Sequence, residues 1–190
     1  AWRLLATSRF VGDDALGALR AWNRAGEPRH DVLQVDGLTR TRHRVVERLI
    51  DVDQGELLTP DRLIRAERRL SELPSASFTR LDYLPVRSGL AELRAVVDER
   101  PLWPSGLLSL AMLGGSAAAN RELRVTIGSL TGGGEEMSVA WRFWPGRPRV
   151  GLALRAPAPW GGVASLEAHE ERQRFSDPLL PSAKRTGVGV

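Results

Sequence analysis

Three histidines, one Ser-Glu-His run and one glycine-rich loop are the places in this chain where residue type invites chemistry. His30, His43 and His169 share no metal-ligand spacing. They read as ordinary surface histidines rather than a zinc set. Cysteine is absent, which removes disulfides and thiolate metal sites. Ser165, Glu167 and His169 alternate, so on an extended strand all three would share a face. No strand–turn–helix elbow surrounds Ser165. Thr131-Gly132-Gly133-Gly134-Glu135 is followed by neither Lys-Ser/Thr nor a helical pattern, so it reads as a hairpin loop and not a phosphate cradle. Arg62, Arg65, Arg68 and Arg69 form a charged helix face, read as solvated, with contact to a client, a partner or lipid headgroups as the alternative. No nucleophile, base and orienting group come together. The expectation is a non-enzymatic protein with no catalytic residue, no cofactor and no metal.

The chain has 190 residues, 42% hydrophobic and 26% charged, enough for one medium domain or two small ones. Its pI of about 10.7 suggests nucleic acid, but the net charge is only +4. Lys184 is the only lysine and Tyr83 the only tyrosine, so a small excess of Arg sets the pI. Residues 1 to 100 carry 17 basic against 16 acidic side chains, and residues 101 to 190 carry 10 against 7. A long phosphate-binding face is therefore not expected. The longest uncharged run, Pro101 to Asn120, has its apolar core only at Leu107 to Leu113. A spanning helix needs roughly 20 apolar residues. Any membrane crossing would be made by strands. No signal peptide opens the chain, and both ends are expected to be cut from something longer.

The elements that would position these residues change character near Pro101. Asp13 or Asp14 can cap a short helix carrying Leu16, Leu19 and Trp22, ending near Gly26 and Pro28. Val32 to Val35 reads as a short strand stopped by Asp36-Gly37. Val45, Val46, Leu49 and Ile50 have helical spacing, with Thr39 or Thr41 as cap. Thr59-Pro60 starts a second helix with Leu63, Ala66, Leu70 and Leu73 on one face, ended by Pro74. In the next strand Thr79, Leu81 and Tyr83 oppose Phe78, Arg80 and Asp82. Arg87-Ser88-Gly89 makes the turn, and Ala91, Leu93, Ala95 and Val97 share a face of the last strand. This alternation predicts a half-buried antiparallel sheet with helices on one side.

After Pro101 only alternation is seen, and no helix is expected. Leu123, Val125 and Ile127 alternate with Arg124, Thr126 and Gly128. Met137, Val139, Trp141 and Phe143 alternate with Glu136, Ser138, Ala140 and Arg142. Pro145 to Pro148 is a tight turn, and Val150, Leu152 and Leu154 alternate with Arg149, Gly151 and Arg155. Residues 163 to 172 alternate weakly. A sandwich or soluble barrel would hide the apolar face. A membrane barrel would turn it to lipid and keep Glu136 and Arg142 in the lumen. The pattern alone does not choose. Trp141, Phe143, Trp144 and Trp160 near strand ends suit either an interface belt or a core.

The order strand, helix, helix, strand, strand, with these cues, resembles a POTRA (polypeptide-transport-associated) domain. The residues carrying it are Val35-Asp36-Gly37-Leu38-Thr39-Arg40-Thr41, Val45-Val46-Glu47-Arg48, Gly55-Glu56-Leu57-Leu58-Thr59, Leu63 through Leu73, and Leu93 to Pro101. Leu38 stands where the family usually has Asn, and Glu47-Arg48 inverts the usual charge order. Gly128 to Glu135 resembles the "N-L-x-G-x-G-E" hairpin of the BamA/TamA-type superfamily, and Ala156-Pro157-Ala158-Pro159-Trp160 its "P-Y/P-W" step.

The resemblance implies an N-terminal segment (1–30) that can be the tail of a preceding module, a βααββ POTRA-like domain (31–101), and the N-terminal antiparallel strands of an incomplete transmembrane β-barrel (102–190). It implies a protein of the bacterial outer membrane with its POTRA part in the periplasm, which assembles, inserts or translocates outer-membrane proteins. Implied partners are unfolded or nascent outer-membrane protein clients, outer-membrane lipid, and accessory periplasmic or lipoprotein subunits, with no nucleic acid. A strand of a client can add to an exposed sheet edge through backbone hydrogen bonds. The edge candidates are Val32, Leu33, Gln34 and Val35, and Phe78, Thr79, Arg80, Leu81, Asp82 and Tyr83. A two-partner secretion translocator is one alternative. A soluble α+β binding module is the other. Four or five strands are too few to close a barrel, which needs about eight.

Overall fold

The computed structural model describes residues 1–86, 89–101, 114–115, 117–159, 161–173 and 183–189. Arg87-Ser88 of the expected turn, the apolar run Leu107 to Leu113 and Trp160 lie outside the described residues. The chain is α+β and divides into two compact units: 1–72 with 76–99, and 73–75 with 100–190.

In the first unit the elements are α1 (Trp2–Val11), α2 (Ala15–Asn23), β1 (Arg29–Asp36), α3 (His43–Ile50), α4 (Pro60–Ser71), β2 (Ala76–Pro85) and β3 (Leu90–Glu99). The α2 helix starts where Asp14 accepts a hydrogen bond from the Gly17 N–H. The α4 helix starts where Thr59 accepts from Arg62 N–H, with Pro60 in the first turn, which needs no N–H donor. The α3 helix corrects the expected cap. Its N-cap is Arg42, with no side-chain bond, while Thr39 and Thr41 are drawn to Glu99. A buried carboxylate is a stronger acceptor than helix amides are a demand, so the hydroxyls go there.

The three strands order as β1-β3-β2, with β2 antiparallel and β1 parallel to β3. The sheet is thus mixed rather than antiparallel throughout. The helical connection brings β2 in two places away from β1, and the β2–β3 hairpin then turns β3 back between them, parallel to β1. β1 also begins three residues earlier than its apolar run, because Arg29 bridges to Leu57 and pairs with Leu90. Ala91, Leu93, Ala95 and Val97 are fully buried, together with Leu19, Val46, Leu58 and Leu70 of the helical side. Each large aliphatic so buried contributes about 1.5–3 kcal/mol. Phe10, Trp22 and Tyr83 form an aromatic cluster, and the Tyr83 hydroxyl donates to the Ala15 carbonyl at 2.7 Å. Burial, then the nearby Asp14 charge, push the Tyr83 phenol above its usual range.

Gly37 ends β1 at φ 89°, and a Cβ there would lie 2.4 Å from the Val97 carbonyl oxygen. Only glycine lets the 37–41 loop cross β3 this closely. His30 is the second correction. It is buried, not on the surface, because the loop 53–58 folds over the start of β1. The His30 N–H donates to Glu56 O at 2.8 Å and the Gly55 N–H to His30 O at 2.7 Å. Its Nδ1 lies 3.3 Å from Asp53 O.

The second unit holds β4 (Glu122–Gly128), β5 (Glu136–Trp144), β6 (Arg147–Pro157), β7 (Val163–Gln173) and β8 (Ala183–Gly189). They pair antiparallel in sequence order as one open sheet. Residues 117–120 are helical, a third correction. Ala-Ala-Ala-Asn has no alternation to favour a strand, and alanine is the strongest helix former.

Candidate functional site

Two surfaces hold the residues singled out above. The first is the pair of outer strands of the β1-β3-β2 sheet. β3 is central, so β1 and β2 are both edges. Val32, Leu33, Gln34 and Val35 lie on β1, beyond the stretch covered by residues 55–58. Phe78, Thr79, Arg80, Leu81, Asp82 and Tyr83 lie on β2, opposite Asp98 through Leu93 of β3. Leu81 and Tyr83 point into the core, while Phe78 is 53% exposed and Arg80 and Asp82 form an exposed ion pair at 2.7 Å. On the helix face of Arg62, Arg65, Arg68 and Arg69, read above as solvated, three of the side chains also bond within the unit. Arg62 pairs with Glu56, Arg69 with Asp51 at 2.5 Å, and Arg65 donates to Asp61 O.

The 37–41 loop is fastened beneath this sheet by Glu99. Its carboxylate accepts from the Thr39 hydroxyl, from Arg40 N–H at 3.0 Å and from Thr41 N–H at 2.7 Å, and pairs with the Arg40 guanidinium at 3.3 Å. Burial alone would raise its pKa. The Thr39 and Thr41 hydroxyls, the Thr41 amide and Arg40 outweigh it and lower the value to about 2.

The second surface is the β4–β8 sheet, whose faces differ. Register places Glu122 opposite Arg142, Arg142 opposite Arg149, Arg149 opposite Glu171, and Glu136 opposite Arg155. Residues directly opposite share a face. This face carries ion pairs: Arg142–Glu122 at 3.0 Å, Arg149–Glu167 at 3.4 Å and Arg100–Glu136 at 2.8 Å. Between the charges the floor is small: Ser138, Ala140, Gly151 and Ala153. Ser165, Glu167 and His169 do share this face. Four residues of strand set Ser165 and His169 about 13 Å apart, beyond hydrogen-bond reach. Glu167 is held by Arg149 instead.

The opposite face is apolar and open. Leu123, Trp141 and Val150 form one row, Val125, Val139, Leu152, Ala168 and Val188 the next, and Ile127, Met137, Leu154 and Leu166 a third. Val139, Trp141, Phe143, Val150, Leu152, Leu154 and Leu166 are all between 38% and 53% exposed. No second layer among the described residues covers them. Trp141 and Phe143 pack on this face with tilted rings, centroids 5.5 Å apart. Trp144 is on the other face, with Arg142 over its ring and its Nε1–H donating to Asn120 O.

The glycine-rich segment is the β4–β5 hairpin loop. Glu135 folds back into it and accepts from Thr131 N–H at 2.5 Å and Gly133 N–H at 2.9 Å. Burial pushes its carboxyl up, but these amides and the Thr131 hydroxyl hold it below the usual range. The loop amides that would cradle a phosphate are thus taken by the chain's own carboxylate.

No protein-family model matches the sequence, and no curated protein matches it. Solved structures do. The crystal structure of BamA from Haemophilus ducreyi lacking POTRA domains 1–3 aligns with TM-score 0.54 at 14% identity, covering 84% of this chain and 31% of that one. CdiB from Acinetobacter baumannii aligns with TM-score 0.52 at 9% identity, covering 80% and 30%. CdiB from Escherichia coli aligns with TM-score 0.50 at 11% identity, covering 85% and 31%. The chain spans a little under a third of the length of these structures. At these identities the likeness is one of fold: an α+β chain whose antiparallel strands match part of the BamA and CdiB barrels, with no sheet closed.

Proposed function

We propose that the protein is a non-enzymatic component of outer-membrane protein assembly or translocation. In this reading residues 31–101 act as a periplasmic POTRA-like domain, and residues 102–190 are strands of a barrel in the outer membrane, preceded by the segment 1–30. The observation that carries it is the two-faced β4–β8 sheet. An exposed face of Val, Leu, Trp and Phe backed by a face of ion pairs is what lipid on one side and water on the other demand. A soluble module would have to cover that apolar face, and nothing among the described residues does.

The test is reconstitution of the full chain into vesicles containing brominated lipid. Tryptophan fluorescence should be quenched, and Trp141→Phe should remove more of the quenching than Trp144→Phe, because of these two Trp141 stands on the apolar face and Trp144 on the other. A chain that stays in buffer, unquenched, rejects the membrane reading.

Clients would be unfolded outer-membrane proteins, bound by adding a strand to β1 or β2. Backbone pairing reads no side-chain code, so it suits many clients. Hydrogen exchange with an extended client-derived peptide should show new amide protection at 78–83 or 32–35. Protection that follows only one peptide sequence would favour the secretion-translocator form, with its single dedicated substrate. No protection at either strand would remove edge addition.

A further inference from the structure

The charged residues of the sheet do not all lie on the charged face. Glu170, Arg172 and Lys184 stand on the apolar face, because Glu170 is opposite Val150 and Thr186, and Arg172 is opposite Lys184. Glu170 bridges the two cations, 3.3 Å from Arg172 Nε and 3.0 Å from Lys184 Nζ. A groove of about 570 Å3 runs beside them, lined by Val150, Leu152, Ala168, Glu170, Arg172 and Thr186. Its walls are mainly apolar along β6. The small Ala168 opens its floor, and Arg172 stands at one end, with Lys184 opposite it on β8.

We propose that this groove is a binding site for one anionic phospholipid, with an acyl chain along Val150, Leu152 and Ala168 and the phosphodiester against Arg172 and Lys184. The proposal rests on the membrane reading above. Two cations and one carboxylate leave the cluster with a net charge of +1. That complements a headgroup of net −1, the phosphatidylglycerol class, better than a zwitterionic headgroup, which brings its own cation. Ammonium and guanidinium groups at the end of an apolar surface are placed where a phosphate would sit if the acyl chain were buried beside them. Thr186 adds a hydroxyl at the same level.

The experiment is native mass spectrometry of the full chain in detergent micelles, titrated with phosphatidylglycerol or phosphatidylcholine. One phosphatidylglycerol should be retained in preference to phosphatidylcholine. Arg172→Gln with Lys184→Gln should weaken it roughly 25-fold, about fivefold for each charge. Glu170→Gln should act in the opposite direction and tighten it about fivefold. Arg149→Gln with Arg185→Gln, on the other face, should leave retention unchanged. Equal retention of the two lipids, or equal weakening by the two double variants, overturns the site while leaving the membrane reading intact. A chain that takes up no detergent at all overturns both.

Discussion

Val139→Arg will weaken insertion of the chain into vesicles by roughly 30- to 1,000-fold, whereas Ser138→Arg, one residue away, will change it little. Val139 sits in the middle row of the apolar face, between Val125 and Leu152. An arginine on the lipid side near the bilayer midplane costs about 2–4 kcal/mol. Ser138 lies on the face that already holds Arg142, Arg149 and Glu167, over a floor of small residues. A cation there meets water and carboxylates. Partition of the two variants, followed by tryptophan quenching, checks the pair. Equal losses, or none, would mean that the exposed valines and leucines do not face lipid.

The second large effect is expected at Glu99. Glu99→Gln keeps the shape but puts an amide donor against the Thr41 N–H and removes the charge beside Arg40. The first unit should lose about 2–3 kcal/mol, seen as faster hydrogen exchange in peptides from 29–99. The pH dependence has a definite sign. The folded pKa of about 2 is below the ordinary 4.5, so Glu99 stabilises fully above about pH 4.5. That stabilisation is lost as pH falls from about 4.5 toward 2. Protection corrected for intrinsic rates should therefore drop at low pH in the native protein more than in Glu99→Gln. Equal protection of both at neutral pH would remove the clamp from the account.

Much of this was readable before any coordinates. The Thr59-Pro60 start, the Asp14 cap and the period-two faces of β2 through β6 follow from local chemistry, which neighbours in sequence decide. What escaped depends on neighbours in space. The α1 helix buries only Ala6 and has no side-chain cap, so neither pattern nor signal marks it. His30 is buried by a loop more than twenty residues away. Thr39 and Thr41 read as caps because nothing local reveals Glu99. The two candidate edges could be named but not placed until β3 proved central. Most hidden of all was the Glu170–Arg172–Lys184 cluster. A weakly alternating β7 gives no hint that its charges leave the charged side, and Lys184 is brought opposite Arg172 only by the register of β8.

The border between apolar and charged residues on the open face is not level. On β5 and β6 the face is apolar to Phe143 and Pro148 at the strand ends. On β7 and β8 it stops two rows sooner, at Ala168 and Val188, before Glu170 and Lys184 begin. Two rows are four residues, ~13 Å along the strand. In the proposed bilayer frame this border is a waterline, and it crosses the strands obliquely. The strands then lean away from the membrane normal, as a closing barrel requires of its staves.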